Sequence, residues 1–220
     1  MSVSAPDVSH DTRAFIRAKL KLAPLPFLDG LKLHRAGPQS AVGQFIARRG
    51  GEANAPYWAY PWAGGLALAR YLLDHPDLVA GRRVLDLGAG CGLVAIAAMK
   101  AGASSAIATD VDPDAIAAIA LNAEANSVVV AAICDDPLGE PPPEVDLALA
   151  GDLFYEAGLA ARAFDFLARC RAAGIATLIG DPGREHLPRE RLLQLADYRL
   201  DDFGDAPGAA ATAGAVFALA

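Results

Sequence analysis

Val84-Leu85-Asp86-Leu87-Gly88-Ala89-Gly90-Cys91-Gly92 reads as a short apolar strand running into a glycine turn, and a helix of small apolar residues opens at Leu93. Glycines at these positions let the backbone take positive φ and let a ligand approach it closely. The helix that follows points its first N–H groups into the same space. A dinucleotide loop has the spacing G-x-G-x-x-G. Counted from Gly88, the third position of that pattern is Leu93, so the spacing here is G-x-G-x-G. Asp86 sits in front of the turn. A carboxylate there repels a pyrophosphate, which argues against a nicotinamide oxidoreductase, and it suits a ligand that carries positive charge. The bland alternative, a purely structural tight turn, leaves Asp86 without a purpose.

The pattern around this unit repeats its logic. Downstream, apolar strands are expected at 106–109, 128–133, 145–150 and 175–179, with helices at 93–101, 112–126 and 158–171 between them. Pro113 stands at a favoured first-turn position behind Asp112. Residues 64–73 read as a helix before the first strand, and 187–196 as a helix after the fifth. Two last strands are expected at 198–203 and 213–219. Strands alternating with helices give an α/β fold, a doubly wound and mostly parallel sheet of seven strands in the Rossmann-like manner. In such sheets ligands lie at the carboxyl ends of strands, where strand order reverses. Asp86, Asp110, Asp135, Asp152 and Asp181 all fall at such ends.

Residues 1–56 read as an N-terminal extension and 57–220 as the main domain. Within the extension, 11–22 reads as a helix stopped by Pro24 and Pro26. Residues 31–34 alternate like a strand, with 41–47 as the expected partner.

Composition narrows the function. Hydrophobic residues make up 54% of the chain, but much of that is alanine, so the mean hydropathy of +0.28 reflects small side chains and no membrane span is expected. The N-terminus has neither a basic nor an apolar leader region, and no signal peptide is expected. The net charge of −7 and the short clusters Arg48-Arg49 and Arg82-Arg83 give no basic footprint for nucleic acid. Cys91, Cys134 and Cys170 have no metal-ligand or disulfide spacing, nor do the histidines, so no metal is expected. Free thiols suit the cytoplasm.

Asp110 ends the second strand, where a carboxylate can accept hydrogen bonds from both hydroxyls of a ribose. Either Asp135 or Asp136 can receive an adenine amino group, Asp135 being the candidate taken, and either can equally cap the proline loop behind it. With Asp86 facing a sulfonium and an ammonium, and Gly88, Gly90 and Gly92 against the backbone of the ligand, the implied cofactor is S-adenosylmethionine.

Motif, spacing and element order resemble the class I S-adenosylmethionine-dependent methyltransferases. The stretch Pro56-Tyr57-Trp58-Ala59-Tyr60-Pro61-Trp62-Ala63-Gly64-Gly65 is similar to the tryptophan segment of the protein-lysine methyltransferases, and Asp152-Leu153-Phe154-Tyr155 matches their D-x-x-Y/F motif. Together with Ile179-Gly180-Asp181-Pro182-Gly183-Arg184, these most resemble the lysine methyltransferases of the electron transfer flavoprotein beta subunit. The resemblance implies a protein acceptor. Asp152 would then orient the lysine and Tyr155 would face its cationic head, with Phe154 and Trp58 as substrate contacts and Trp62 against the cofactor. Each aromatic has a plainer reading as core packing, and Arg184 as a salt bridge. A small-molecule amine or a ribosomal protein is the alternative acceptor, and a non-catalytic binding protein is opposed by the intact Asp86, Asp110 and Asp152.

Overall fold

The structure is a computed structural model and describes residues 8–48, 55–200 and 212–220. A helix, α1 (Val8–Lys19), leads into a hairpin of β1 (Lys21–Leu25) and β2 (Leu28–Arg35), followed by α2 (Val42–Arg48). The rest alternates: α3 (Ala63–Asp74), β3 (Arg83–Leu87), α4 (Leu93–Lys100), β4 (Ser105–Asp110), α5 (Pro113–Ala125), β5 (Ala131–Cys134), β6 (Leu147–Gly151), α6 (Ala157–Ala172), β7 (Ala176–Asp181), β8 (Leu192–Leu200) and β9 (Thr212–Leu219). One seven-stranded sheet has the order β5-β4-β3-β6-β7-β9-β8. Its first five strands are parallel, and β9 runs antiparallel to both β7 and β8. The doubly wound sheet expected from the alternation is therefore present.

Chain order explains where a ligand sits. From β3 the chain steps outward to β4 and β5, then returns to place β6 on the other side of β3. The loops after β3 and β6 thus diverge and leave a crevice between them.

Helices α3, α4 and α5 cover one face of the sheet. The opposite face packs against α6 through Phe154, Phe164, Phe166 and Leu167. On the three-helix side there is a further layer. Leu25, Leu28, Leu31 and Leu33 of the hairpin pack on Leu66 of α3 and Leu93 and Ile96 of α4, and Ile16 and Leu20 pack on Ala115, Ala118 and Leu121 of α5. Helix α5 is consequently buried on two sides, which is why it is built from alanine and isoleucine. Its two buried amides, four residues apart and so on one face, bond the hairpin, and Asn122 also donates to Cys91 O of the glycine loop at 2.8 Å. Asn126 accepts from Lys32 N at 3.0 Å and donates to Lys32 O at 2.6 Å, and Asn122 accepts from His34 N at 2.8 Å.

Two expectations are corrected. The partner of β2 is β1, with Lys21 opposite Arg35 and Leu22 opposite His34, whereas 41–47 falls in α2. The alternation of exposed Lys21, Leu22 and Pro24 with buried Ala23 and Leu25 carries β1, and Pro24 is tolerated because β1 pairs on one side only. Residues 187–196 are not a helix. Pro188 precedes a single turn at Arg189–Arg191, after which Leu192 enters β8 and pairs with Leu219. Backbone pairing with β9 decides the conformation there, where no apolar face of helical period exists to be covered. Of the strand expected at 198–203, the part beyond Leu200 lies outside the described residues.

Candidate active site

Asp86 is the buried centre of the site. Its carboxylate is 1% exposed at the end of β3, and Oδ2 accepts from Ala95 N in the first turn of α4 at 3.0 Å. Burial pushes its pKa up to about 7, against the pull of that N–H, with the charge of Asp110 adding to the rise. The chain after it turns through left-handed glycines: Gly88 at φ 58°, Gly90 at 52° and Gly92 at 80°. Gly92 is the N-cap of α4, and a Cβ there would meet Ile119 at 3.2 Å. It shapes the loop and does not line the cavity, which corrects its assignment as a ligand contact.

Asp110 ties the loop to β4. Its Oδ2 accepts from Gly90 N at 2.8 Å and its Oδ1 from Asp112 N at 2.9 Å. The Val111 amide also bonds this carboxylate, which still leaves acceptor capacity for a hydroxyl. Asp112 caps α5 through Asp114 N at 2.8 Å, as its position before Pro113 suggested. Asp135 and Asp136 both line the cavity and differ in their neighbours. Asp136 accepts from Leu138 N and pairs with Arg162 at 2.6 Å, whereas Asp135 is exposed beside the cavity with only Asp136 N on its carboxylate among the described contacts.

Asp152 opens the loop after β6 and holds a left-handed backbone at φ 61°, costly for a residue with a side chain. The conformation aims its carboxylate at the N-terminus of α3. Oδ1 accepts from Gly64 N at 3.1 Å and Oδ2 from Gly65 N at 2.6 Å, so Asp152 caps a helix whose own N-cap, Trp62, supplies no side-chain acceptor. Close backbone packing makes this possible: a Cβ on Gly64 would lie 2.2 Å from Gly180 O. Arg184 completes the cluster, donating from Nη1 to Asp152 at 2.6 Å and to the fully buried Asp181 at 3.1 Å. Burial raises the Asp152 pKa and Arg184 opposes the rise.

These groups face one cavity of about 590 Å³ in the crevice between β3 and β6, within the usual range for small-molecule sites. Trp62, Asp86, Gly88, Gly90, Asp110, Asp135, Asp152, Tyr155 and Trp58 all line it. Its mouth carries aromatic rings absent from the sequence-based expectation in two cases, Tyr57 and Tyr60. Tyr57 lies 5.5 Å from Tyr155 and 5.6 Å from Trp62, Tyr60 lies 6.3 Å from Trp62, and Trp62 Nε1 donates to Tyr57 O at 3.0 Å. The spacing Y-W-x-Y-x-W held this signal. Trp58, 1% exposed, forms the wall between the cavity and the α1–α5 core. Phe154 is corrected: it is 0% exposed in the α6 core and does not reach the cavity, because side chains after Asp152 alternate between site and core.

The cavity chemistry fits S-adenosylmethionine. Asp86, Asp110, Asp112, Asp135, Asp136 and Asp152 face it, and the one guanidinium there among the described residues, Arg184, is already paired with two carboxylates. A pyrophosphate would meet repulsion there and a sulfonium attraction. Among the described residues no cluster of His, Cys, Asp and Glu is arranged to hold a metal ion, and no helix is long and apolar enough to cross a membrane.

Residues 68–149 match the family described as ribosomal protein L11 methyltransferase (PrmA). The chain is 46% identical over 153 residues to the electron transfer flavoprotein beta subunit lysine methyltransferase of Danio rerio, covering 67% of this chain and 59% of that protein. The Homo sapiens protein of the same name is 44% identical over 151 residues, covering 66% and 58%. The chain thus spans about three fifths of the length of these relatives. In three dimensions it is similar to the 16S rRNA N2 methyltransferase (RsmC) of T. thermophilus in complex with AdoMet and guanosine, at a TM-score of 0.52 and 21% identity over 72% of this chain and 43% of that one, a likeness of fold. With this sheet order and the acid-lined cavity at its switch point, the chain has the Rossmann-like fold of the class I S-adenosylmethionine-dependent methyltransferases and is similar in sequence to the electron transfer flavoprotein beta subunit lysine methyltransferases.

Proposed function

We propose that the chain is a protein-lysine methyltransferase and that its acceptor is the beta subunit of electron transfer flavoprotein. The observation that carries the reading is the mouth of the cavity, where the rings of Tyr57, Tyr60, Trp62 and Tyr155 lead inward to the Asp152 carboxylate. An aromatic wall ending on an acid suits one long aliphatic side chain with a cationic head. The identity of 46% to the Danio rerio lysine methyltransferase supports the same acceptor class.

In this reading Asp86 holds the ammonium of S-adenosylmethionine, Asp110 the ribose and Asp135 the adenine edge, with Gly88 and Gly90 leaving room for its backbone-facing side. Trp62 closes the cofactor's methionine end and Trp58 backs the acceptor channel. The bound cofactor supplies a methyl group activated by a sulfonium. The work of the chain is positional: a neutral amine must lie about 3 Å from the methyl carbon and in line with the breaking bond. Asp152 and Tyr155 fix that approach, and the aromatic rim keeps water from competing. Free Cys91, Cys134 and Cys170 suit a reducing compartment, and we place the protein in the cytoplasm.

A ribosomal protein acceptor is the second reading, favoured by the match to PrmA. That match ends at residue 149, so it contains the cofactor acids Asp86, Asp110 and Asp135 and stops short of Asp152. It therefore bears on the donor side of the site. The two readings separate when purified electron transfer flavoprotein and ribosomal protein L11 are each incubated with the chain and labelled S-adenosylmethionine, and labelled peptides are mapped. Methylated lysines in the beta subunit support the proposal. Label on L11 alone, or on a small amine alone, overturns it.

A further inference from the structure

Arg184 reaches into the cavity wall from the loop after β7 and meets Asp152 at 2.6 Å and Asp181 at 3.1 Å. Asp181 is fully buried and also accepts from Gly183 N and Arg184 N, each at 2.7 Å. Asp152 meanwhile takes two amides at the positive end of α3. Two carboxylates thus face one guanidinium and one helix N-terminus, and the charge of Asp152 is balanced before any acceptor arrives.

The balance matters because of the acceptor's own chemistry. A lysine ammonium ordinarily holds its proton to about pH 10.4, and only the free amine has the lone pair that attacks. An unpaired buried carboxylate beside it would bind the ammonium tightly and hold the proton on. We infer that Arg184 sets the protonation state of the acceptor: by balancing Asp152 it keeps the acceptor pocket from binding an ammonium too well, so that the lysine gives its proton to solvent and reacts as the free amine. The nitrogen lone pair then forms the N–C bond, the C–S bond breaks with its electrons going to sulfur, and the methylated nitrogen afterwards releases a second proton. Arg184 is in this sense a positioning residue acting through Asp152. The inference rests on the reading of the chain as a lysine methyltransferase.

Other charges near the pair come from several elements. Asp86 and Asp152 both act on Cys91 of the glycine loop. Tyr57, Asp110, Glu156 and Arg184 act on Tyr155, and His186 acts on Glu156. Arg189 lies against Gly183. Arg184 is the one among them that touches Asp152.

The test compares wild type, Arg184→Gln, Arg184→Lys and the double variant Arg184→Gln with Asp152→Asn. Methyl transfer to electron transfer flavoprotein is followed from about pH 6 to about pH 10, where the acid limb of kcat reports the acceptor amine. Removing a unit charge roughly 6 Å from the amine at an effective dielectric of about 20 should move that limb upward by about one to two pH units. Arg184→Lys should hold the wild-type limb, and the double variant should return toward it. A readout independent of turnover is the affinity of n-butylammonium measured by NMR in the presence of S-adenosylhomocysteine. Arg184→Gln should tighten it about tenfold near neutral pH. An acid limb that stays in place in Arg184→Gln, or weaker n-butylammonium binding, overturns the inference. If wild type methylates no lysine at all, the functional reading fails, and the n-butylammonium affinities still decide the role of Arg184.

Discussion

Replacing Asp86 by asparagine, and varying pH over the wild type, probes the site where its electrostatics are most unusual. Burial holds this carboxyl at about 7 in the free protein, well above an ordinary aspartate. The positively charged ammonium of S-adenosylmethionine beside it favours the ionised form, so binding should require the carboxylate. With a pKa of about 7, the ionised fraction rises from about 0.1 at pH 6 to about 0.75 at pH 7.5, so the affinity for S-adenosylmethionine should grow about eightfold over that interval and level off above it. Isothermal calorimetry measures this directly. In Asp86→Asn the affinity should fall by a factor of ten or more, about 1.4 kcal/mol, and its pH dependence over this interval should vanish. Stability offers a second check with a definite sign. The folded pKa is raised, so the native state holds a proton that the unfolded chain releases. Through this group the stability of the free protein declines as pH rises from about 4 to about 7 and is constant beyond. Asp86→Asn should remove that decline. Wild-type affinity in the asparagine variant, or an affinity flat across the interval, would exclude this role for Asp86.

Gly64→Ala places a methyl group 2.2 Å from Gly180 O and should cost on the order of 1–3 kcal/mol, read as a lower Tm; an unchanged Tm would deny the close approach of α3 and β7. Phe154→Ala should cost about 3–5 kcal/mol in denaturant unfolding without raising the acceptor KM, whereas Tyr155→Ala should do the reverse, with a KM about tenfold higher. Asp152→Asn should keep cofactor affinity within a few-fold and lower kcat/KM at least 100-fold, about 2.7 kcal/mol; full turnover would move the chemistry elsewhere. Asn126→Ala removes both contacts to Lys32 and should cost about 1–3 kcal/mol, with the Lys32 amide losing hydrogen-exchange protection ahead of the sheet.

The parts of this structure legible in the sequence are those where local pattern and tertiary demand agree. The strand at Arg83–Leu87, the glycine turn and the helix at Leu93–Lys100 each carry their own signal, and three strand–helix pairs in succession, β3–α4, β4–α5 and β6–α6, point to a parallel sheet. The acids at strand ends were legible for the same reason, since a polar residue closing an apolar run marks the carboxyl edge. What was not legible depends on partners far along the chain. Residues 187–196 become a turn and a strand because β9 supplies hydrogen bonds from about twenty residues further on. The hairpin partner at Lys21–Leu25 was obscured by Pro24, and the amides of Asn122 and Asn126 find their hairpin partners only when β2 lies across α5. Within the site, Asp152-Leu153-Phe154-Tyr155 shows the same limit. Sequence places all four at a strand end, but only the left-handed turn at Asp152 decides that Tyr155 faces the cavity while Phe154 enters the core.

The crevice between β3 and β6 is expected to hold the methyl donor with its reactive sulfur toward Asp152 and Tyr155. A crystal structure of the chain with S-adenosylhomocysteine tests it most directly. The amino-acid end of the ligand should lie near Asp86, the ribose hydroxyls on Asp110, the adenine edge at Asp135 and the sulfur facing the aromatic mouth. A ligand bound outside this cavity, or one lying in it with its sulfur turned away from Asp152, would rule out that placement.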